Sequence, residues 1–295
     1  MRRKQVVTLI VTAVLFLYLL YKIRSEAATV QAGIMKLNPL LFFIAVLMGV
    51  VSYLFYTLLW YVLVRGVAET SYGEVLKVNL AGTYLAFSLN AAVGNIVKAK
   101  FLGTDYFKVL GATVLATTLE LTVGGVMVMG LNADMSVLPF VLFLLGGVVF
   151  DGVYYRVLSF PINRLKWEGV KRSAQSFYYG WSAVKSRTRN LALAFFVAFL
   201  LVISNSITLL LVGRSFGAYF PFHSAVTAII YSEVLGGLLG TPGGVGANEV
   251  GLMLGIGRSG LAALTAITYK FIGQYAYALV GAVTFYRLVG RGKEG

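Results

Sequence analysis

The 295 residues are 59% hydrophobic and 12% charged, against about 45–50% and about 25% in soluble domains, which excludes an ordinary soluble chain. With no cysteine and a single histidine, His223, thiol catalysis, redox sensing and a cysteine or histidine metal cluster are also excluded, and no metal or other cofactor is expected. The net charge of +14, from 25 Lys and Arg against 11 Asp and Glu, then reports loop sidedness in a membrane protein rather than nucleic-acid binding.

In chain order, the uncharged run Val6–Tyr21 follows Arg2, Arg3 and Lys4. It reads as a first transmembrane helix, with a signal peptide ending near Ser25-Glu26-Ala27 as the alternative. Leu37–Val64 carries no charge and exceeds the roughly 20 residues that a hydrocarbon core requires. Val109–Ala133 is interrupted only by Glu120, Met135–Tyr155 only by Asp151, Asn190–Gly213 by nothing, and Ser259–Tyr286 only by Lys270. Two further stretches, Val75–Gly103 and Phe222–Gly257, each hold an apolar half, a glycine-containing break and a shorter second half. The expected fold is an all-α integral membrane protein of about six full crossings and two re-entrant helical hairpins.

Lys and Arg concentrate in cytoplasmic loops. The segment 156–189 carries Arg156, Arg164, Lys166, Lys171, Arg172, Lys185, Arg187 and Arg189 against Glu168 alone, so it is expected to be cytoplasmic. Both termini follow it, and the loop at Asn132-Ala133-Asp134 falls outside. Within this segment Trp167, Val170, Ala174, Phe177, Trp181 and Val184 recur at helical spacing, forming one apolar stripe. That stripe suits either the membrane interface or the base of the protein itself.

The two broken stretches give the single polytopic domain an internal order. Residues 37–133 and 190–287 each read as long span, broken hairpin, then long span with one central charge. An odd number of crossings between them inverts the second copy, an arrangement found in transporters, where broken helices expose backbone dipoles. Glu120 and Lys270 occupy equivalent depths with opposite sign. They either line a substrate path or pair to fasten the halves, since a lone ionised group at mid-bilayer is costly. The second break, Pro242-Gly243-Gly244-Val245-Gly246-Ala247-Asn248-Glu249, ends in an amide and an acid. The first, Asn90-Ala91-Ala92-Val93-Gly94-Asn95, leads to Lys98 and Lys100. With Glu233, these residues make up the expected substrate path.

The run Pro242–Glu249 resembles the PGGxGxRE signature of the flippase-like membrane family that includes the transmembrane region of lysylphosphatidylglycerol synthases. Gly94-Asn95-Ile96-Val97-Lys98 is similar to that family's G-D-x-x-R element, Glu120 to its mid-helix acid and Lys270 to its late basic residue. The chain departs from the pattern at Asn90, Asn95, Lys98 and Asn248, where the family has proline, aspartate, arginine and arginine. The resemblance implies movement of amphiphilic lipids between leaflets, along a groove lined by re-entrant elements. The aminoacyl-transferase activity of the synthases' soluble domain is not expected of this chain.

Three function classes follow. The leading one is a lipid translocase in the cell membrane, acting on anionic or zwitterionic head groups without ATP hydrolysis. A membrane scaffold that docks a separate glycosyltransferase or lipid-modifying enzyme through the basic segment is the alternative. An intramembrane lipid enzyme using Glu249, Glu233 or Glu120 is weaker, because the sequence offers no nucleophile–base pair and no nucleotide-binding glycine loop.

Overall fold

Backbone in hydrocarbon has no water to bond, and a helix is the one open-ended structure that pairs its N–H and C=O groups within a single segment. The computed structural model describes residues 3–89, 91–132, 135–153, 155–157, 168–183, 188–239 and 241–291. Among them all regular structure is helical. The helices of the first part are α1 (Arg3–Ser25), α2 (Ala27–Met35), α3 (Pro39–Val64), α4 (Tyr72–Ser88), α5 (Ala91–Phe101), α6 (Tyr106–Asn132) and α7 (Leu138–Val149). There follow α8 (Asp151–Val157), α9 (Glu168–Ser182), α10 (Thr188–Ser215), α11 (Phe222–Leu239), α12 (Ala247–Ile256), α13 (Gly260–Lys270) and α14 (Ala276–Arg291). A 3-10 turn spans Pro242–Gly244 and a π turn Phe271–Tyr275.

Where six crossings are expected, four described helices, α3, α6, α10 and α11, are long and apolar enough to cross, or five if α7 and α8 make one span. The expected span Met135–Tyr155 is that bent pair, turned by 82° at Phe150, with Asp151 opening the second helix. Helix α11 is by itself long enough to cross, although the sequence places it in a re-entrant stretch. Val6–Tyr21 is helical within α1, and Ser259–Tyr286 is helical from Gly260 onward through the π turn. On α3, Leu40, Phe43, Leu47, Val50 and Leu54 form an exposed apolar stripe at helical spacing. In water such a face is a liability, whereas acyl chains solvate it at no cost.

The chain forms two compact units. One comprises Met1–Leu54, Leu80–Gly94 and Val202–Gly295, the other Phe55–Asn79 and Asn95–Leu201.

The core of the second unit is built on Trp60, Leu63, Leu115, Leu119 and Leu201, all at most 2% exposed. The Trp60 indole N–H donates to Thr113 Oγ1 (3.2 Å), so the largest buried ring leaves no orphan donor. Helix α4 opens on a reciprocal capping box, the Ser71 N–H donating to Glu74 Oε2 (2.8 Å) and the Glu74 N–H to Ser71 Oγ (3.3 Å). These bonds hold the Glu74 carboxyl below the usual glutamate range, so the cap is complete above that range and is lost as pH falls through the lowered value.

Helix α9 packs against α6 through two glycines. A Cβ on Gly180 would overlap the Lys108 backbone, and one on Gly111 the Phe177 carbonyl. Val170, Ala174, Phe177 and Trp181 of the apolar stripe line a cavity of about 510 Å³ shared with α6 and α7, and Val170 remains exposed. Trp167, Val184, Lys166 and Lys185 lie outside the described residues. Gly180→Leu should lower stability by about 1–3 kcal/mol or more through overpacking, read as an earlier thermal unfolding midpoint. Gly169→Ala on the same helix meets open space and should leave the midpoint unchanged or slightly raised.

In the first unit α11 and α12 form an antiparallel helical hairpin. Its close approach is set by Gly251 against Ser232 and Gly255 against Ala228, where any Cβ would fall within 3 Å of the facing helix. Helix α13 is capped twice at its start, Ser259 Oγ accepting from the Ala262 N–H (3.1 Å) and Glu26 Oε2 from the Gly260 N–H (2.8 Å).

Candidate functional site at the broken hairpin

Pro242 cannot continue a helix, and Gly243, Gly244 and Gly246 take φ of 60°, 73° and 82°, a region that side-chain-bearing residues rarely adopt. The sequence therefore breaks here. A break inside the helical packing leaves backbone groups without helical partners. Two side chains and one backbone bond supply partners for three of them, and a third side chain, Tyr275, holds the Glu249 carboxylate. The Gly244 N–H donates to the Thr241 carbonyl (2.9 Å), and Gln274 Nε2 donates to the Gly243 carbonyl (2.7 Å). The Gly246 N–H donates to Glu249 Oε2 (2.7 Å), while the Tyr275 hydroxyl donates to Glu249 Oε1.

Gln274 and Tyr275 reach the tip because the π turn widens the helix immediately after Lys270. One turn then places positions four and five beyond Lys270 on the face that Lys270 occupies. Lys270, 7% exposed, lies 3.9 Å from Glu233 Oε1 and within electrostatic range of Glu249. In the amide orientation that satisfies both neighbours, Asn248 donates to the Ser232 carbonyl (2.9 Å) and accepts from Lys270 Nζ (3.1 Å). Gly236 and Gly244 flank that amide so closely that a Cβ on either would overlap it. The Ser232 and Thr241 hydroxyls are buried without a partner among the described residues. Phe87, near the end of α4, packs on Gly243 and tilts against the Tyr275 ring at 5.0 Å, so the end of α4 meets the broken hairpin.

Of the expected path residues, the structure gathers Glu233, Gly243, Gly244, Gly246, Asn248, Glu249 and Lys270 into this one site. The backbone of Pro242 opens its 3-10 turn; the proline ring and Asn90 lie outside the described residues. Gly94 belongs to the same unit and packs on Gly82 and Ala86. Asn95, Lys98, Lys100 and Glu120 belong to the second unit, where Lys98 and Glu120 are buried and Lys100 is exposed. Lys270 finds its acid, Glu233, on α11 of its own unit. Ser232, Gly236, Gln274 and Tyr275 are not singled out by the sequence reading. The signal is present in part, since Gln274 is an amide four residues beyond a lysine within an apolar run.

The arrangement presents one buried cation, two carboxylates, amides and hydroxyls at a helix break, enclosed by apolar helices. It is a polar site for charged groups inside an all-helical membrane protein. The chain belongs to the family described as the lysylphosphatidylglycerol synthase TM region, whose model matches residues 5–282. Membership places the protein in a membrane and ties it to lipid. No curated protein matches the chain.

Proposed function

We propose that the protein moves an amphiphilic lipid with a charged head group between leaflets, without ATP hydrolysis. The observation that carries this reading is the set of polar groups at the Pro242–Glu249 break, enclosed by helices whose outer faces are apolar. Lys270, Asn248 and Glu249 offer both signs of charge to a head group at a depth where lipid tails offer none, while the chains stay in hydrocarbon. Both Glu249 oxygens accept hydrogen bonds from the protein and Lys270 faces Glu233. Such groups are arranged to hold charge rather than to attack a bond, which favours transport over lipid chemistry.

Reconstitution into liposomes with fluorescent head-group variants, read by a membrane-impermeant quencher, tests the proposal. Head-group-selective transfer supports it. Unchanged, untransferred lipid favours the scaffold, and altered lipid favours the enzyme. For orientation, cysteines placed at Ser173 and Asn132 should label from opposite sides, the first cytoplasmic. Same-side labelling would remove the inverted repeat from the reading.

A further inference from the structure

The second unit contains a cavity of about 510 Å³ in which the broken hairpin has no part. Its lining runs from Phe107 to Thr118 on α6 and from Val170 to Trp181 on α9, so it extends about 16 Å along each helix at about 1.5 Å of rise per residue. Phe143, Leu144, Gly147, Asp151 and Tyr155 close it from α7 and α8. The space is therefore long and bounded by three helical walls.

Those walls offer water little to bond. The Thr118 and Ser173 hydroxyls that reach the cavity already donate to the Val114 and Gly169 carbonyls of their own helices (2.8 and 2.9 Å). The other polar groups gather at the α8 rim, where the Tyr178 hydroxyl lies beside Gly152 and bonds the Asp151 carboxylate, its ring stacked on Tyr155 at 4.0 Å. One polar rim on a long apolar space is the shape of an amphiphile's site.

The surroundings decide which amphiphile. Phe143 lines the cavity while 62% exposed, so the space opens on the outer face of α7. Beside it Leu142, Val149, Phe150 and Val153 are exposed too, a surface that only hydrocarbon solvates without cost. Protein interiors leave few voids of this size, and apolar ones take up apolar matter rather than water.

We propose that this cavity holds one hydrocarbon chain of a membrane phospholipid, with the polar end of that lipid at the Asp151 and Tyr178 rim. The site goes beyond transfer at the hairpin, since its lining lies wholly within the second unit.

The test uses the full chain in phosphatidylcholine vesicles doped with a phosphatidylcholine whose acyl chain carries a diazirine, irradiated and mapped by mass spectrometry. Adducts are expected on Phe107 and Phe177 inside the cavity, and on Leu40, Phe43 and Leu47, whose exposed stripe on α3 reports bulk lipid. Gly147 lines the cavity, and a Cβ there meets nothing within 4 Å, so Gly147→Leu fills the space from α7 without a clash. In that variant the cavity adducts should fall severalfold relative to those on α3. Its unfolding midpoint should not fall, because leucine favours the helix over glycine. Ala174→Leu fills the same space from α9 and should act alike. Cavity adducts that keep their ratio to the α3 adducts in both variants would overturn the proposal, and so would their absence from the parent, which would give the cavity to water or to a protein partner. Labelling does not depend on transfer, so failure of the liposome assay leaves this result standing.

Discussion

Replacing Lys270 with Met should lower stability by roughly 3–5 kcal/mol and abolish lipid transfer. The lysine is the one basic side chain bonded within the described hairpin network, and its loss leaves Glu249 buried and the Asn248 carbonyl without its donor. Combining Lys270→Met with Glu249→Gln should recover part of the stability, since it also neutralises the more deeply buried of the two carboxylates within electrostatic range of the lysine, Glu233 remaining half-exposed. The glutamine oxygen still accepts from the Gly246 N–H, so the turn keeps its bond. Transfer should stay lost in the double variant, because no cation remains at the break for a head group and Glu233 is the one carboxylate left of the two. Thermal unfolding midpoints and quencher-based transfer rates for the two singles and the double decide the matter. A double variant that regains both would make the network a fastener and withdraw these residues from the path.

Adjacent glycines on α11 should respond in opposite directions. A Cβ at Gly236 overlaps the Asn248 amide, whereas one at Gly237 meets nothing within 4 Å. Gly236→Ala therefore forces the buried amide off Ser232 and Lys270, at a cost of about 1–3 kcal/mol from overpacking and more from the broken hydrogen bonds. Gly237→Ala should be neutral or stabilising by up to about 1 kcal/mol, the ordinary helix gain of alanine over glycine. Midpoints measured side by side would separate a geometric requirement at the amide from a general need for small residues on this helix. Equal losses in both variants would show that the Asn248 contact is not what makes Gly236 necessary.

Much of the candidate site is legible in the order of the amino acids. Pro242, Gly243 and Gly244 announce a break through their own backbone preferences, and Asn248, Glu249 and Lys270 stand out because charge and amide are rare in apolar runs. Gln274 and Tyr275 are less visible. Gln274, four residues past Lys270, shares its face in any helix, whereas Tyr275 reaches it through a π turn that changes the phase by one residue, which nothing in a 3.6-residue pattern announces. Lys98 illustrates the converse case. The sequence marks it as polar in an apolar stretch but gives no sign that Trp60, 38 positions earlier, lies beneath it.

Span length, lack of charge and glycine or proline punctuation are local properties of a chain, so the amino-acid order alone makes this a helical membrane protein with a discontinuity between residues 242 and 246. The partners are set by tertiary packing. Glu233 answers Lys270, and the stripe of α9 turns to α6 rather than being left to the bilayer alone. The tertiary structure also bends α7 from α8 at Phe150, which the apolar run does not announce. The physical reason is the same throughout: which faces meet depends on where glycines let backbones approach and where a turn shifts helical phase, and both are satisfied only by residues distant in sequence.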